Sequence, residues 1–359
     1  MTARIVESLE GFRQLEPQWT AIADAGGVHT PYESFAWIDS WLCHRGRGIE
    51  PYILVFQDGK TIAPFGRFRV AGVRVLRLLG TGDSDYLGLA TTVPISEAWN
   101  AVAQELVNRR NDWDLLHLHS VRDRNTIVTA LDRHIGSGGY DRPYEDCPWV
   151  PTDRSWEHLL ASRKKMRYEV RRWTRRLESQ GSLVLDVVSP PAPDLLLSEL
   201  EEVERVSWKW ESGDAALRPG PQRDFLQAVL RDPRMSFQLW VLRISAQLVA
   251  FALVLVADNR WYYYLPTFRQ DHPNAGSYLL ARIIERACAS NCVFVDLLRG
   301  PHAYKLDWTD LANTVYEIVH PSNMRGLAAA LAYAARWRAA ENGFLQQARA
   351  RICRTGDRR

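Results

Sequence analysis

Between Phe237 and Phe268 three apolar runs follow one another with only two residues at each junction. FQLWVLRI (237–244) and QLVAFALVLVA (247–257) are parted by Ser245 and Ala246, and RWYYYLPTF (260–268) follows Asp258 and Asn259. Two residues suffice for a hairpin turn and are far too few for a crossover, so three antiparallel strands are predicted. The polar loop RQDHPNAGS (269–277) comes next, then YLLARIIERACA (278–289) with the apolar spacing of a helix, then a short buried run, VFVDLL (293–298). The residues after it, RGPHAYKLDW (299–308), are rich in side chains that can carry chemistry.

The same succession occurs earlier in the chain. PYILVFQDGKTIAPFGRFRV (51–70) reads as a hairpin turning at Asp58 and Gly59, and VRVLRLLG (73–80) as a further strand. A polar loop, TGDSDYLG (81–88), leads to a helix near 96–109 and a strand, WDLLHLH (113–119). Strands interleaved with helices in two matching runs predict an α+β fold of two similar halves, each a mixed, mainly antiparallel sheet flanked by helices. The expected division is 1–150, 151–325 and a basic C-terminal helix, 326–359. The stretch 136–151, with its glycines and prolines, is read as the boundary between the halves. Upstream, Thr30, Pro31 and Glu33 form a capping pattern for a helix over 30–42, and Tyr32, Trp37 and Trp41 give it an aromatic face for the interface between halves or for a substrate wall.

A length of 359 residues with 46% hydrophobic composition supports real cores and excludes a disordered chain. The five cysteines are scattered and odd in number, which argues against a disulfide framework. The charged opening MTARIVESLEGFRQLE is unlike a signal segment, and GLAAALAYAA (326–335) is too short to cross a bilayer, so a cytoplasmic protein without a transmembrane segment is expected. Asp83 and Asp85 flank Ser84 as carboxylates do at some metal sites, yet loops after strands are often acidic for solubility or turn formation, and no metal is expected. His117 and His119 share one face of their strand and read as core or interface histidines.

The net charge is only +3, but its distribution is uneven. In SRKKMRYEVRRWTRRLESQG (162–181), Met166, Val170, Trp173 and Leu177 make one helical apolar stripe. The other faces carry Arg163, Lys164, Lys165, Arg167, Arg171, Arg172, Arg175 and Arg176. Like charges at this density oppose helix formation, so a binding role is open beside a solvated face. The ligands considered are phosphates of coenzyme A, an anionic glycan or lipid precursor, and RNA, with RNA disfavoured because few aromatics are interleaved for stacking.

Taken together, the basic run, SWKWESG (207–213), NAGSYLL (274–280) and VDLLRGPHAYKLDW (295–308) resemble the Gcn5-related N-acetyltransferase (GNAT) superfamily, and more narrowly its bacterial CelD/BcsL-type branch of cellulose-biosynthesis acetyltransferases, related to the Fem-type aminoacyl transferases. The resemblance implies two tandem GNAT-like lobes and an N-acyltransferase using acetyl-coenzyme A or another acyl-coenzyme A as co-substrate. Its donor would be held by the loop opening the helix, through Arg269, Asn274, Gly276 and Ser277, because free first-turn amides and the helix dipole favour phosphate. A single glycine there, where the superfamily has several, leaves a carrier-protein or aminoacyl donor open. Gly276 could equally be a turn glycine.

The resemblance further implies that Tyr304 protonates the leaving thiolate. Asp296 or His302 would act as the base, with Asp296 alternatively orienting the amine. Trp208 and Lys209 would approach the acceptor, Arg299 and Lys305 would bind phosphate or carboxylate, and Asp85 and Tyr86 match a recurrent feature of the branch. The expected acceptor is an amine on a small molecule or a sugar or polysaccharide precursor. A Fem-like transferase fed by aminoacyl-tRNA, and a non-catalytic assembly protein retaining the fold, are the alternatives. Oligomeric state is not legible.

Overall fold

The computed structural model describes residues 2–356, with side chains described for 2–340. Its strands in the first half are β1 (Ala3–Val6), β2 (Glu50–Phe56), β3 (Thr61–Val70), β4 (Val73–Leu78), the two-residue β5 (Ala90–Thr91), β6 (Leu115–Val121) and β7 (Tyr140–Pro151). The second half supplies β8 (Leu183–Val188), β9 (Phe237–Ile244), β10 (Gln247–Ala257), β11 (Arg260–Phe268), β12 (Phe294–Asp296) and β13 (Ala312–Pro321). All join one mixed sheet in the order β1-β2-β3-β4-β6-β13-β7-β12-β11-β10-β9-β8, with β5 beside β3. The fold is thus α+β, with helices on both sides of the sheet.

Among the described residues two pairings are parallel, β4 with β6 and β11 with β12, and they occupy matching places in the two halves. The last strand of each half is exchanged: β7 pairs with β12 of the second half, and β13 with β6 of the first. The two exchanged strands also pair with each other and close the sheet at its centre. The stretch 136–151, read from sequence as the boundary between the halves, holds a central strand over 140–151. Its prolines and charges hid it: YDRPYEDCPWVP lacks a clean two-residue alternation, and only Cys147, Pro148 and Val150 are buried.

The hairpin turns behave as predicted. Ser245 and Ala246 both take positive φ, as a two-residue hairpin of this twist requires. Along β2 and β9 alternate residues feed different cores. Ile53, Val55, Leu239 and Val241 join one layer that runs through both halves, while Leu54 and Phe56, and Trp240 and Leu242, serve separate clusters on the opposite side. The shared layer is covered by Glu16–Asp24, Phe35–His44, Asp194–Arg205 and Pro221–Arg231. Glu33 accepts from the Thr30 amide at 3.2 Å, which is the one hydrogen-bonded half of a capping box, on a short 3-10 turn, Pro31–Glu33, and Ser34 caps the α-helix that follows. Pro17 sits in the first turn of its helix, where its missing N–H costs nothing.

The basic stretch forms the helix Lys164–Glu178, which buries Met166, Val170, Trp173 and Leu177 beside the helix Ala275–Cys288. The C-terminal helix spans Met324–Gly356. Its side chains from 341 onward, including the expected basic tail and Cys353, lie outside the described residues. Among the described residues no helix is long and apolar enough to cross a membrane.

Candidate active site

β11 and β12 pair only from Arg260 to Tyr262 and from Phe294 to Asp296. Just beyond, β11 carries one extra residue, Tyr264, where its register against β10 shifts between Leu253 and Val254. Such a bulge bends the strand and increases its twist. A cavity of about 480 Å³ opens past the paired segment. Tyr263, Pro266 and Phe268 line it from β11, and Gly276 and Ser277 from the first turn of the helix Ala275–Cys288. His302, Tyr304 and Lys305 close it from the turn after β12, and Trp208 and Lys209 from the short helix Trp208–Ser212.

Seven residues singled out from sequence therefore line one cavity: Trp208, Lys209, Gly276, Ser277, His302, Tyr304 and Lys305. Six do not: Arg269, Asn274, Asp85, Tyr86, Asp296 and Arg299. Arg269 pairs with Asp271 at 2.9 Å. Asn274 takes a left-handed conformation as the N-cap without capping through its side chain; the Ala275 amide donates to the His272 carbonyl at 3.2 Å, and the amides of the wall residues Gly276 and Ser277 are left uncapped among the described residues. Gly276 is accounted for by packing, since a Cβ there would lie 2.6 Å from the Phe268 ring. Sequence reading missed Tyr263, Pro266 and Phe268 as wall residues; the proline in a strand was the available signal.

The other residues form a buried network between the halves. Tyr86 donates to Asp296 Oδ2 at 2.6 Å, and the Leu298 amide donates to Asp296 Oδ1 at 2.8 Å. Arg299 Nε donates to Asp85 Oδ1 at 2.5 Å, and Tyr32 donates to Asp85 Oδ2 at 3.2 Å. Lys305 Nζ donates to the carbonyls of Leu298 and Arg299, at 3.0 and 2.6 Å. Leu298 sits at φ +62°, a conformation that costs a branched side chain free energy, so these bonds hold a turn that would not persist alone. That turn carries His302 and Tyr304 into the cavity, where their rings stack 6.1 Å apart.

The matching opening in the first half is filled by its own loop. Asp83, Ser84, Asp85 and Tyr86 are all buried. Trp41 and Arg45 donate to Asp83, Trp37 donates to Ser84, and Tyr264 of the second half donates to the Asp83 carbonyl. The aromatic face of the helix Phe35–His44 is thus interface core. His117 and His119 also lie inside, His117 against Glu317 at 2.8 Å.

Burial sets the electrostatics. It pushes the Asp296 carboxyl up to about 7, against the hydrogen bonds from Tyr86 and the Leu298 amide. It pulls Lys209 down to about 8, opposed by Glu204 and Asp214. Lys209 Nζ donates to the Pro266 carbonyl at 2.5 Å, fixing the short helix to β11. Lys305 is likewise lowered by burial, with Asp85 opposing. Because the folded Asp296 holds its proton to higher pH than an unfolded aspartate, it contributes stability below about pH 4 that is lost as pH rises through about 7. Asp296→Asn is therefore expected to flatten the fall in stability between pH 5 and 7.5, read by urea titration at both values. An unchanged slope would sink this assignment.

Chemically, the cavity joins an anion-favouring helix end to two groups able to exchange protons, in an aromatic enclosure. Comparison with known proteins bears on the same segment. Residues 164–306 match the family model described as acetyltransferase (GNAT) domain. The matched segment contains every wall residue of the cavity. None of the curated proteins matches the chain.

Among solved structures, the C-terminal domain (DUF2156) of a protein assigned as a lysylphosphatidylglycerol synthetase from Agrobacterium fabrum is similar. It has 14% identity and a TM-score of 0.58, over 88% of this chain and 94% of that one. L-PGS from Bacillus licheniformis has 13% identity and a TM-score of 0.58, covering 86% and 92%. FemX has 10% identity and a TM-score of 0.58, covering 89% and 97%. At these identities the likeness is one of fold.

Proposed function

We propose that the protein is a GNAT-type N-acyltransferase that moves an acetyl or other acyl group from acyl-coenzyme A to an amine, on a small molecule or on a sugar or polysaccharide precursor, in the cytoplasm. Membership of the CelD/BcsL-type branch is part of this proposal. The observation that carries it is the cavity within the GNAT segment, with uncapped helix amides at Gly276 and Ser277 and with His302 and Tyr304 across from them.

In this reading the first-turn amides hold the donor's phosphates and the thioester lies along β11. The neutral amine attacks the thioester carbon, a C–N bond forms and the C–S bond breaks. His302 accepts the proton the amine loses, and Tyr304 returns one to the departing thiolate. Trp208 and Lys209 face the acceptor. Asp296, Tyr86, Asp85, Arg299 and Lys305 are positioning residues, since they hold the turn and none but Lys305 lines the cavity. Arg269 and Asn274 shape the donor loop.

Titrating acetyl-coenzyme A into the protein is expected to raise its melting temperature and to give slow release of free thiol. No binding of any acyl-coenzyme A would remove the donor. A second reading, an aminoacyl-tRNA donor, draws on the fold likeness to FemX and on the basic helix Lys164–Glu178. It predicts retention of charged tRNA that weakens steeply with salt.

A further inference from the structure

The helix Lys164–Glu178 opens with Lys164, Lys165 and Arg167 and has no acidic residue in its first turn, so its start opposes the helix dipole. Three of its arginines, Arg167, Arg171 and Arg175, recur every fourth residue and so stand on one face, about 6 Å apart along the axis. All three are exposed. Neighbouring cations are partly neutralised: Arg163 pairs with Asp310, Lys165 with Asp307 and Arg172 with Glu169. Arg167, Arg171 and Arg175 form no ion pair among the described residues. This arrangement costs helix stability, and no ion pair among the described residues offsets it.

The row borders a groove of about 580 Å³, separate from the acyl-transfer cavity and sharing no wall residue with it. Its floor is Trp156, Leu160 and Val170, and its far wall is Arg282 of the helix Ala275–Cys288. Arg282 binds Glu285 at 2.8 Å through one terminal nitrogen, but its Nε is buried without a hydrogen-bond partner. A buried donor without an acceptor is costly, and the Arg282 guanidinium lies over the Trp156 and Tyr278 rings at 5.8 and 5.2 Å, with its charge only partly met by Glu285. Glu157 and Glu285 also line the groove, yet four guanidiniums outnumber them.

Guanidinium forks match phosphate oxygens in geometry, and a row with one arginine per helical turn matches anions linked in series better than a single one. We propose that this groove binds a chain of linked phosphates, carried by a nucleoside di- or triphosphate or free as an oligophosphate. The phosphates run along Arg167, Arg171 and Arg175, and the Arg282 side closes over them. The proposal stands independently of the acyl donor.

Calorimetric titration of the full chain with sodium tripolyphosphate, ADP and adenosine at low salt tests it. Tripolyphosphate and ADP are expected to bind and adenosine not. The Arg171→Gln/Arg175→Gln variant should lose about tenfold or more in affinity for both phosphates, with an unchanged circular dichroism spectrum and unchanged affinity for acetyl-coenzyme A. ADP binding about tenfold tighter than tripolyphosphate would assign the nucleotide form, and equal binding the free chain. The proposal is overturned by no phosphate binding, by binding that survives the double substitution, by binding of a short RNA alone, or by a parallel loss of acetyl-coenzyme A that would make the groove part of the donor site.

Discussion

Replacing Arg299 with leucine is expected to lower the unfolding free energy by about 3–5 kcal/mol, because it removes one partner of a buried ion pair and leaves the other uncompensated. Arg299 Nε meets Asp85 Oδ1 at 2.5 Å, with both side chains largely shielded from water. Burial works against the guanidinium charge, and Asp85 outweighs it, holding Arg299 well above its usual range. Without Arg299, Asp85 keeps only the hydroxyl of Tyr32 as a side-chain donor among the described residues. The double variant Asp85→Asn/Arg299→Leu should be markedly less damaged than Arg299→Leu alone, since it removes the stranded charge together with its partner. Urea unfolding of the single and double variants measures both. A loss below about 1 kcal/mol for Arg299→Leu would mean that water reaches Asp85 and that the pair behaves as a surface one. Because Arg299 lies in the turn that carries His302 and Tyr304, the same variant should also lose turnover.

Tyr304→Phe is expected to lower kcat for acyl transfer by about 10²-fold or more, the usual worth of a positioned general acid. Acetyl-coenzyme A affinity should stay near the wild-type value. The phenol ring and its stacking on His302 are kept, and only the proton donor is lost. Steady-state kinetics with separate donor titration decides the matter. A kcat within about threefold of wild type would take the general-acid role from Tyr304, and a matching fall in donor affinity would make it a binding group. Circular dichroism should be unchanged, because Tyr304 is among the more exposed aromatics and holds no buried partner.

The hairpins of the second half, the following helix and the short β12 were legible because each carries its own signal. A two-residue turn admits only an antiparallel return, and the spacing of Tyr278, Leu279, Ile283 and Ala287 only a helix. The central strand β7 was not legible, because it is held from both sides by strands distant in sequence and needs no apolar pattern of its own. Chemistry-bearing residues were recognisable by type, and seven of them meet in one cavity. Their division of labour was not recognisable. Asp296 and Lys305 lie nine residues apart around the same turn, and whether such groups face a ligand or the turn's own backbone depends on Tyr86, more than two hundred residues away.

The sequence by itself determined the local elements, the doubled order of strand, loop, helix and strand, and a basic helix with one apolar stripe, because periodicity and turn chemistry act over a few residues. Only the tertiary structure decided that each half lends its last strand to the other, that the first half's loop fills its own opening and braces the second half's turn, and that the open cavity lies between β11 and the residues after β12. Those outcomes depend on which surfaces meet once the sheet closes. Burial, the displaced proton affinity of Asp296 and the pairing of Arg299 with Asp85 exist only after that closure.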